Sequence, residues 1–337
     1  MKSVMHHMPV LVLVPAVLIA LSGGSAGRSF DLPPDEGGAF PRNVRPIQFA
    51  QAADDGDARR NGVRVLKAAV DYILPSLGDQ APDWAKRIEF EWSLQNDLKP
   101  AFSILTVLPL YRDALDRNTV FTQLSVRRDE QVGVQRTVTN AGLGYRRLLN
   151  NNTMLVGLNV FFDYDWEYDH QRGGLGAEAR WYGFDLYGNL YHGYSDRRSV
   201  ATNTFEEVLN GGDVELSVQV PYLPWARLRG SRFYWDNKVA STNTRGWRGA
   251  LEMDLHPNLQ VEFAARDDNF NKTQYIAQLR FRLAKFGEPV ALSTRPIDDR
   301  PWALRDMRDR TLDKVRRENK VIVERSVGAV VRIGRGT

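Results

Sequence analysis

The sequence predicts an all-β chain folded as a twelve-stranded antiparallel transmembrane β-barrel, with a short N-terminal helix and a C-terminal linker helix in the lumen. Three observations predict the barrel. From Arg87 onward apolar residues recur with a period of two, in stretches near 87–95, 101–110, 119–128, 136–147, 153–163, 173–182, 184–194, 213–221, 226–236, 246–255, 258–266 and 274–284. Each stretch approaches the ~9–11 residues with which a tilted strand crosses a bilayer. The links also alternate in length. They are short near 150–152, 183, 222–225 and 256–258, and longer and more polar near 128–135, 165–172, 195–212 and 236–245, with 111–118 as an exception. Short turns on one side and long loops on the other are the habit of bacterial outer-membrane barrels.

The third observation is what the two faces carry. One holds Ile88, Phe90, Leu143, Val156, Leu158, Val160, Leu175, Leu216, Leu251 and Phe263. The other holds Glu89, Glu91, Asn140, Arg146, Asn159, Glu178, Arg180, Glu215, Arg248, Glu252, Glu262 and Arg280. Charges of both signs on nearly every strand suit a lumen, so this second set is predicted to face it. Gly142, Gly144, Gly174 and Gly176 share that face, where inward bulk is avoided. Lipid leaves no backbone group unpaired, so the sheet must close. Alternation by itself leaves a soluble all-β fold open, with the apolar face turned inward.

Each segment then has a reason. Residues 1–26 read as an export signal: Lys2, an apolar core Val10–Leu21, and small residues ending at Ala26. Residues 27–57, rich in Pro, Gly, Asp and Ala, are a flexible linker. Residues 58–86 hold a short periplasmic helix, with Val63, Leu66, Val70, Ile73 and Leu77 at helical spacing and Pro75 and Gly78 ending it. The barrel occupies 87–286. Residues 287–337 are a basic linker helix and a short extension. Within 302–320, Leu304, Met307, Leu312 and Val315 form an apolar stripe, and Arg305, Arg308, Arg310, Arg316 and Arg317 a basic face. That face is expected to lie opposite Glu89, Glu91, Glu178, Glu215, Glu252 and Glu262, because opposite charges attract more strongly in a confined space than on an open surface. The last stretch, VIVERSVGAVVRIGRGT, has room for one or two short strands.

Composition excludes several classes. The 337 residues carry 45 Lys plus Arg against 41 Asp plus Glu, a formal charge of +4. The tail 302–337 holds +5 of it, so the body is slightly acidic and unsuited to nucleic acid. Cysteine is absent, which excludes a disulfide scaffold, a thiolate metal site, a cysteine nucleophile and a lipoprotein anchor. The chain is too apolar to be disordered. Its one long apolar run is N-terminal, which excludes a helical polytopic membrane protein.

Catalytic, cofactor and metal residues are not assigned. His170, His192 and His256 stand in no ligand spacing, and GGSAG at 23–27 matches a nucleophile elbow without a preceding strand. The cluster Asp163, Asp165, Glu167, Asp169 and His170 reads as an exposed acidic loop; water activation and divalent-cation contact are the alternatives.

Several stretches resemble the β-domain of the inverse autotransporters, the intimin/invasin family: FTQLSVRR (121–128), TNAGLGYRRLL (139–149), LVGLNVFFDYDWEYDHQRGGLGAEAR (155–180), NGGDVELSVQVPYLP (210–224) and LDKVRRENKVIVER (312–325). The resemblance implies a non-enzymatic outer-membrane anchor of a Gram-negative bacterium, with a periplasmic N-terminus and a linker rising through the lumen. It implies export or presentation of a C-terminal segment, a role related to cell adhesion and type V secretion. Implied partners are the outer-membrane assembly machinery, periplasmic chaperones and lipopolysaccharide, with any host-surface ligand unidentified. The pattern departs in two places. Neither a passenger after Thr337 nor a peptidoglycan-binding module in 27–57 is expected. A stand-alone porin-like channel is the competing function.

Overall fold

The computed structural model describes residues 87–96, 98–283, 290–302, 305–328 and 330–334. The expected signal, flexible linker and N-terminal helix lie outside these residues.

Alternating side chains build twelve strands that close on themselves. They are β1 (Ile88–Gln95), β2 (Ala101–Arg112), β3 (Asn118–Gln131), β4 (Val134–Leu149), β5 (Met154–Asp165), β6 (His170–Trp181), β7 (Phe184–Gly193), β10 (Asn210–Gln219), β11 (Ala226–Asp236), β12 (Thr244–His256), β13 (Leu259–Asp268) and β14 (Gln274–Arg282). Each pairs antiparallel with its neighbour, and β14 returns to β1 from Glu89↔Arg282 to Gln95↔Ile276. No edge of the ring is left unpaired, as a bilayer demands.

Burial runs opposite to that of a soluble barrel. Along β5, Leu155, Asn159, Phe161, Asp163 and Asp165 are buried while Leu158, Val160 and Phe162 are exposed. Leu158, Leu175 and Leu190 are 60%, 54% and 65% exposed, whereas Arg136, Arg146, Arg172 and Arg180 are at most 1% exposed. Exposed aliphatics around buried arginines suit lipid outside and a polar interior, so the soluble all-β arrangement is not the one adopted.

The short turns use residues that tolerate left-handed backbone. Asn150, Asn151 and Asn152 all have φ between 48° and 66°. The link at 128–135, expected to be long, is a two-residue hairpin turn at Val132–Gly133 (φ 49° and 76°) between extended β3 and β4. The long connection 194–209 contains a hairpin, β8 (Arg198–Ala201) and β9 (Thr204–Val208). A C-terminal hairpin, β15 (Val323–Val327) and β16 (Val330–Ile333), joins it in a second sheet ordered β16-β15-β9-β8.

Residues 290–302 run along the short-turn rim. The Leu292 and Asp298 amides donate to the carbonyls of Asp254 and Tyr222 (both 2.8 Å). The chain then turns inward. The linker helix expected over 302–320 does not form: among the described residues there is one 3₁₀ turn, Met307–Arg310, capped by Asp306, and 311–320 is turn and irregular chain. Reach explains this. The sixteen steps from Met307 to Val323 span ~24 Å as helix, short of the ~30 Å hydrocarbon core, and up to ~53 Å extended.

Candidate functional site: a lumen threaded by the C-terminal segment

A chain without regular helix or strand leaves most of its backbone groups unpaired, so the wall must satisfy them. At the short-turn rim the Met307 amide donates to the Asn152 carbonyl (2.8 Å), and its side chain packs on Leu148 and Leu155. Arg146 Nη1 donates to the carbonyls of Thr311 and Asp313 (2.9 and 2.7 Å). The Val315 amide donates to Gln123 Oε1 (2.7 Å), and the Glu318 amide to Tyr191 Oη (2.7 Å). Asn189, Arg172 and Asn140 donate to the carbonyls of Arg316, Glu318 and Asn319 (3.0, 2.7 and 3.0 Å).

Side chains add apolar seats and ion pairs. Val315 sits among Leu105, Val107, Phe121 and Phe161, with Leu312 packed alongside. A methyl on Gly142 would overlap the Phe161 ring and one on Gly144 the Phe121 ring, so these glycines make room for the aromatics. Arg310 donates to both oxygens of Asp185 (2.9 and 2.8 Å), and Arg317 to both oxygens of Asp163 (2.8 and 2.7 Å). Lys314 pairs with Glu91, Arg316 with Glu252 (2.6 Å) and Lys320 with Asp129 (3.1 Å). The ionic partners come from β1, β3, β5, β7 and β12, the Val315 seat adds β2, and Arg146 and Arg172 add β4 and β6. A segment touching strands around the closed ring lies inside it.

At the long-loop rim, Ile322 enters a cluster with Tyr191, Leu209, Phe233, Trp235 and Ile333. β15 then pairs with β9 from Val323↔Val208 to Val327↔Thr204.

The residues predicted from sequence divide into two groups. Glu91 and Glu252 take linker cations. The other expected carboxylates are held by wall arginines: Glu89 by Arg280 and Arg282 (3.6 Å each), Glu178 by Arg146 and Arg180 (2.6 Å each), Glu215 by Arg229 (2.6 Å), and Glu262 by Arg229 and Arg248. Arg280 also donates to Glu91 (2.8 Å). Asn140 donates to Asp163 (2.7 Å), and Asn159 is buried beside Gly176. The basic residues of the linker do not share a face: Arg310 pairs with Asp185 of β7, Lys314 with Glu91 of β1, Arg316 with Glu252 of β12 and Arg317 with Asp163 of β5. Arg308 reaches no wall residue; it is exposed and pairs with Asp306 (2.5 Å).

Asp129, Asp163 and Asp185 are the linker's other anchors, and sequence reasoning did not name them as such. Strand parity is the signal that finds Asp163, since it is in step with Asn159 and Phe161. The acidic cluster around it divides: Glu167 and Asp169 lie in an exposed turn as expected, whereas Asp163, Asp165 and His170 are strand residues, all 0% exposed. Arg136 donates to Asp165 (2.6 Å) and to both oxygens of Glu206 (2.5 and 2.6 Å), and Arg325 of β15 also donates to Glu206 (2.6 Å). His170 lies 3.2 Å from both Glu206 Oε2 and Ser195 Oγ. This line superficially resembles a nucleophile relay. However, Glu206 is committed to two guanidiniums, and Ser195 Oγ already accepts the Gln171 amide (3.2 Å). No grouping of three or more His, Asp or Glu among the described residues is fit to hold a metal.

The knot instead ties the second sheet to the barrel. Burial alone would raise the Glu206 carboxyl, but the His170 hydrogen bond and the Arg136 and Arg325 guanidiniums hold it down to about 2, from an ordinary 4.5. A carboxyl lowered on folding stabilises the fold above its unfolded value, and that stabilisation is lost as pH falls towards the folded one. The β15 amides are therefore expected to stay protected from hydrogen exchange down to about pH 4.5. They should lose protection as pH falls towards about 2. In Glu206→Gln this acid-dependent step should be absent.

Known proteins resemble this chain in sequence and in fold. The family described as "Inverse autotransporter, beta-domain" matches residues 49–319. An attaching and effacing protein homolog of Escherichia coli K12 is 30% identical over 193 residues, 55% of this chain and 60% of that protein. Intimin of Escherichia coli O127:H6 is 24% identical over 349 residues, 96% of this chain and 36% of that protein. The chain thus spans less than two thirds of the length of either relative. A solved structure from a study of in-meso crystallization of membrane proteins shares the fold, with TM-score 0.58 at 22% identity over 71% of this chain and 99% of that one.

Proposed function

The chain belongs to the inverse autotransporter β-domain family, and from that premise we propose that it anchors its own C-terminal segment in the outer membrane and presents it at the cell surface. The short-turn rim faces the periplasm, with the N-terminus on that side. The barrel is the conduit through which residues 305–322 have passed, and β15–β16 is the part delivered outside. It is a scaffold rather than an enzyme. Insertion relies on the outer-membrane assembly machinery and periplasmic chaperones, and the exposed aromatics of the long-loop rim meet lipopolysaccharide. Adhesion is a role for whatever β15–β16 displays.

One observation carries this reading: the segment is bonded at both rims and around the wall between them. A porin would need an open lumen, yet the cavity beside the segment near Arg316 and Glu318 is only about 90 Å³. A cysteine pair tests the placement, since the chain has no cysteine of its own. In Glu252→Cys/Arg316→Cys, at the two ends of a 2.6 Å ion pair whose side chains are longer than cysteine's, a short bismaleimide is expected to yield one intramolecular crosslink on full-length barrel in membranes. If no crosslink forms there while each single cysteine still reacts with a small maleimide, the segment is elsewhere.

A further inference from the structure

We propose that the outer surface of β11 and β12, at the long-loop rim, holds one phosphorylated glycolipid of the outer leaflet, gripped through its phosphate by Arg232 and Arg245. Strand parity places the two arginines. Phe233, Trp235, Thr244 and Arg248 are buried, so Arg232, Tyr234, Arg245 and Trp247 point out of the ring, and all four are exposed. Arg232 stands opposite Trp247, and Tyr234 opposite Arg245. The arginines are therefore diagonal neighbours on one face of one strand pair, with backbones about 7–8 Å apart, and their long side chains can meet one small group. Both line a single open groove of about 470 Å³, together with Tyr234, Trp247, Asp267 and Asp268.

The carboxylates of the groove serve the neighbouring turn. Asp268 accepts from the amides of Phe270 and Asn271 (2.9 and 2.8 Å), and Asp267 from Thr273 Oγ1 (2.8 Å). Among the described residues neither Arg232 nor Arg245 is paired with a carboxylate; Arg245 lies over the Tyr234 ring, 5.7 Å from its centroid. Inside the lumen the opposite holds, and arginines there meet carboxylates directly. Two accessible, uncompensated guanidiniums side by side attract an anion, and their planar N–H donors suit phosphate oxygens.

What lies below the arginines makes the occupant a lipid. The next outward row towards the short-turn rim is Gly230, Gly249 and Ala265, in register across three strands, and the row after it is Leu228, Leu251 and Phe263. A methyl on Gly230 would meet nothing within 4 Å, so the first row is a shallow trough above larger apolar side chains. Cations over an apolar trough match an amphiphile with its phosphate up and an acyl chain down. Trp247 and Tyr234 flank the arginines, and such rings favour the level where headgroups meet chains. Free phosphate would leave the trough unused. The choice of a glycolipid rests on the reading above that the long-loop rim faces outward, because phosphorylated glycolipid forms that leaflet.

Native mass spectrometry of the full-length barrel released from detergent, with bisphosphorylated lipid A as the probe, tests the site. Sidedness plays no part in detergent, so a failure here falls on the site, whereas a failure of the orientation shows in surface labelling of the long-loop rim. One retained lipid A per barrel is expected. Dephosphorylated lipid A and phosphatidylglycerol should each bind about tenfold more weakly or worse. Arg232→Gln/Arg245→Gln should weaken lipid A by a similar factor. Arg147→Gln, at an exposed outward arginine at the short-turn end of β4, should leave it unchanged. Equal retention by the double variant and the parent, or an equal loss in Arg147→Gln, would overturn the proposal. So would equal retention of either comparison lipid, a result that needs only the parent protein and stands whether or not the variants fold.

Discussion

Deletion of residues 305–337 is expected to turn an electrically silent barrel into a conducting one. Residues 311–320 fill the ring along its axis, with Val315 seated against β2, β3 and β5 and with cations bonded to opposite sides of the wall. A twelve-stranded ring is wide enough to leave a narrow aqueous path once that content is removed. The hydrogen-bonded strand ring owes nothing to the linker, so it should persist. Losing Arg310, Lys314, Arg316, Arg317 and Lys320 takes one cation from each of Asp185, Glu91, Glu252, Asp163 and Asp129, and leaves each with its wall arginine alone. The path should therefore be cation-selective. In planar bilayers the full-length protein should show closed or flickering traces, and the deleted form steady steps with a reversal potential favouring cations. Identical conductance in the two forms would mean that the segment does not obstruct the pore.

Asp163→Ala should be among the most destabilising single substitutions. Asp163 is 0% exposed and accepts from Arg172 (2.8 Å), from Arg317 twice (2.8 and 2.7 Å) and from Asn140 (2.7 Å). Its removal leaves two guanidiniums facing each other without a counter-charge, one on the wall and one on the linker. Breaking a buried pair by removing one partner typically costs about 3–5 kcal/mol, because the remaining charge stays desolvated. Arg308→Ala removes only an exposed pair that solvent screens, so it should leave stability nearly unchanged. Urea titration of the folded, heat-modifiable form in lipid should separate the two variants by several kcal/mol. Equal midpoints would show that water reaches the Asp163 site.

The barrel was legible because lipid imposes a simple rule on every strand: apolar outward, polar inward. Leu158 and Val160 on one side of β5 and Asn159 and Asp163 on the other follow it, and closure then follows from backbone pairing. The linker obeys no such rule. Met307, Leu312 and Val315 fall at near-helical spacing, yet Met307 fits a seat at the rim, and the other two fit one further in. The spacing reflects the positions of those seats and not helical periodicity. Which carboxylate meets which cation was also hidden, since every strand offers one and only the threading geometry selects among them. The hairpins β3–β4 and β8–β9 were read as loops because their polar residues look like solvent-facing ones. In the folded chain Arg127 pairs with Asp129 (2.7 Å), and Glu206 is buried among arginines.

Cysteine labelling on whole cells tests the threading most directly. Val327, at the end of β15, is exposed above the long-loop rim, and Arg308 is exposed at the short-turn rim. A membrane-impermeant maleimide should label Val327→Cys on intact cells, and Arg308→Cys only once the outer membrane is permeabilised. Labelling of both positions before permeabilisation, or of neither, would place the two ends of the segment on one side of the membrane and contradict its passage through the barrel.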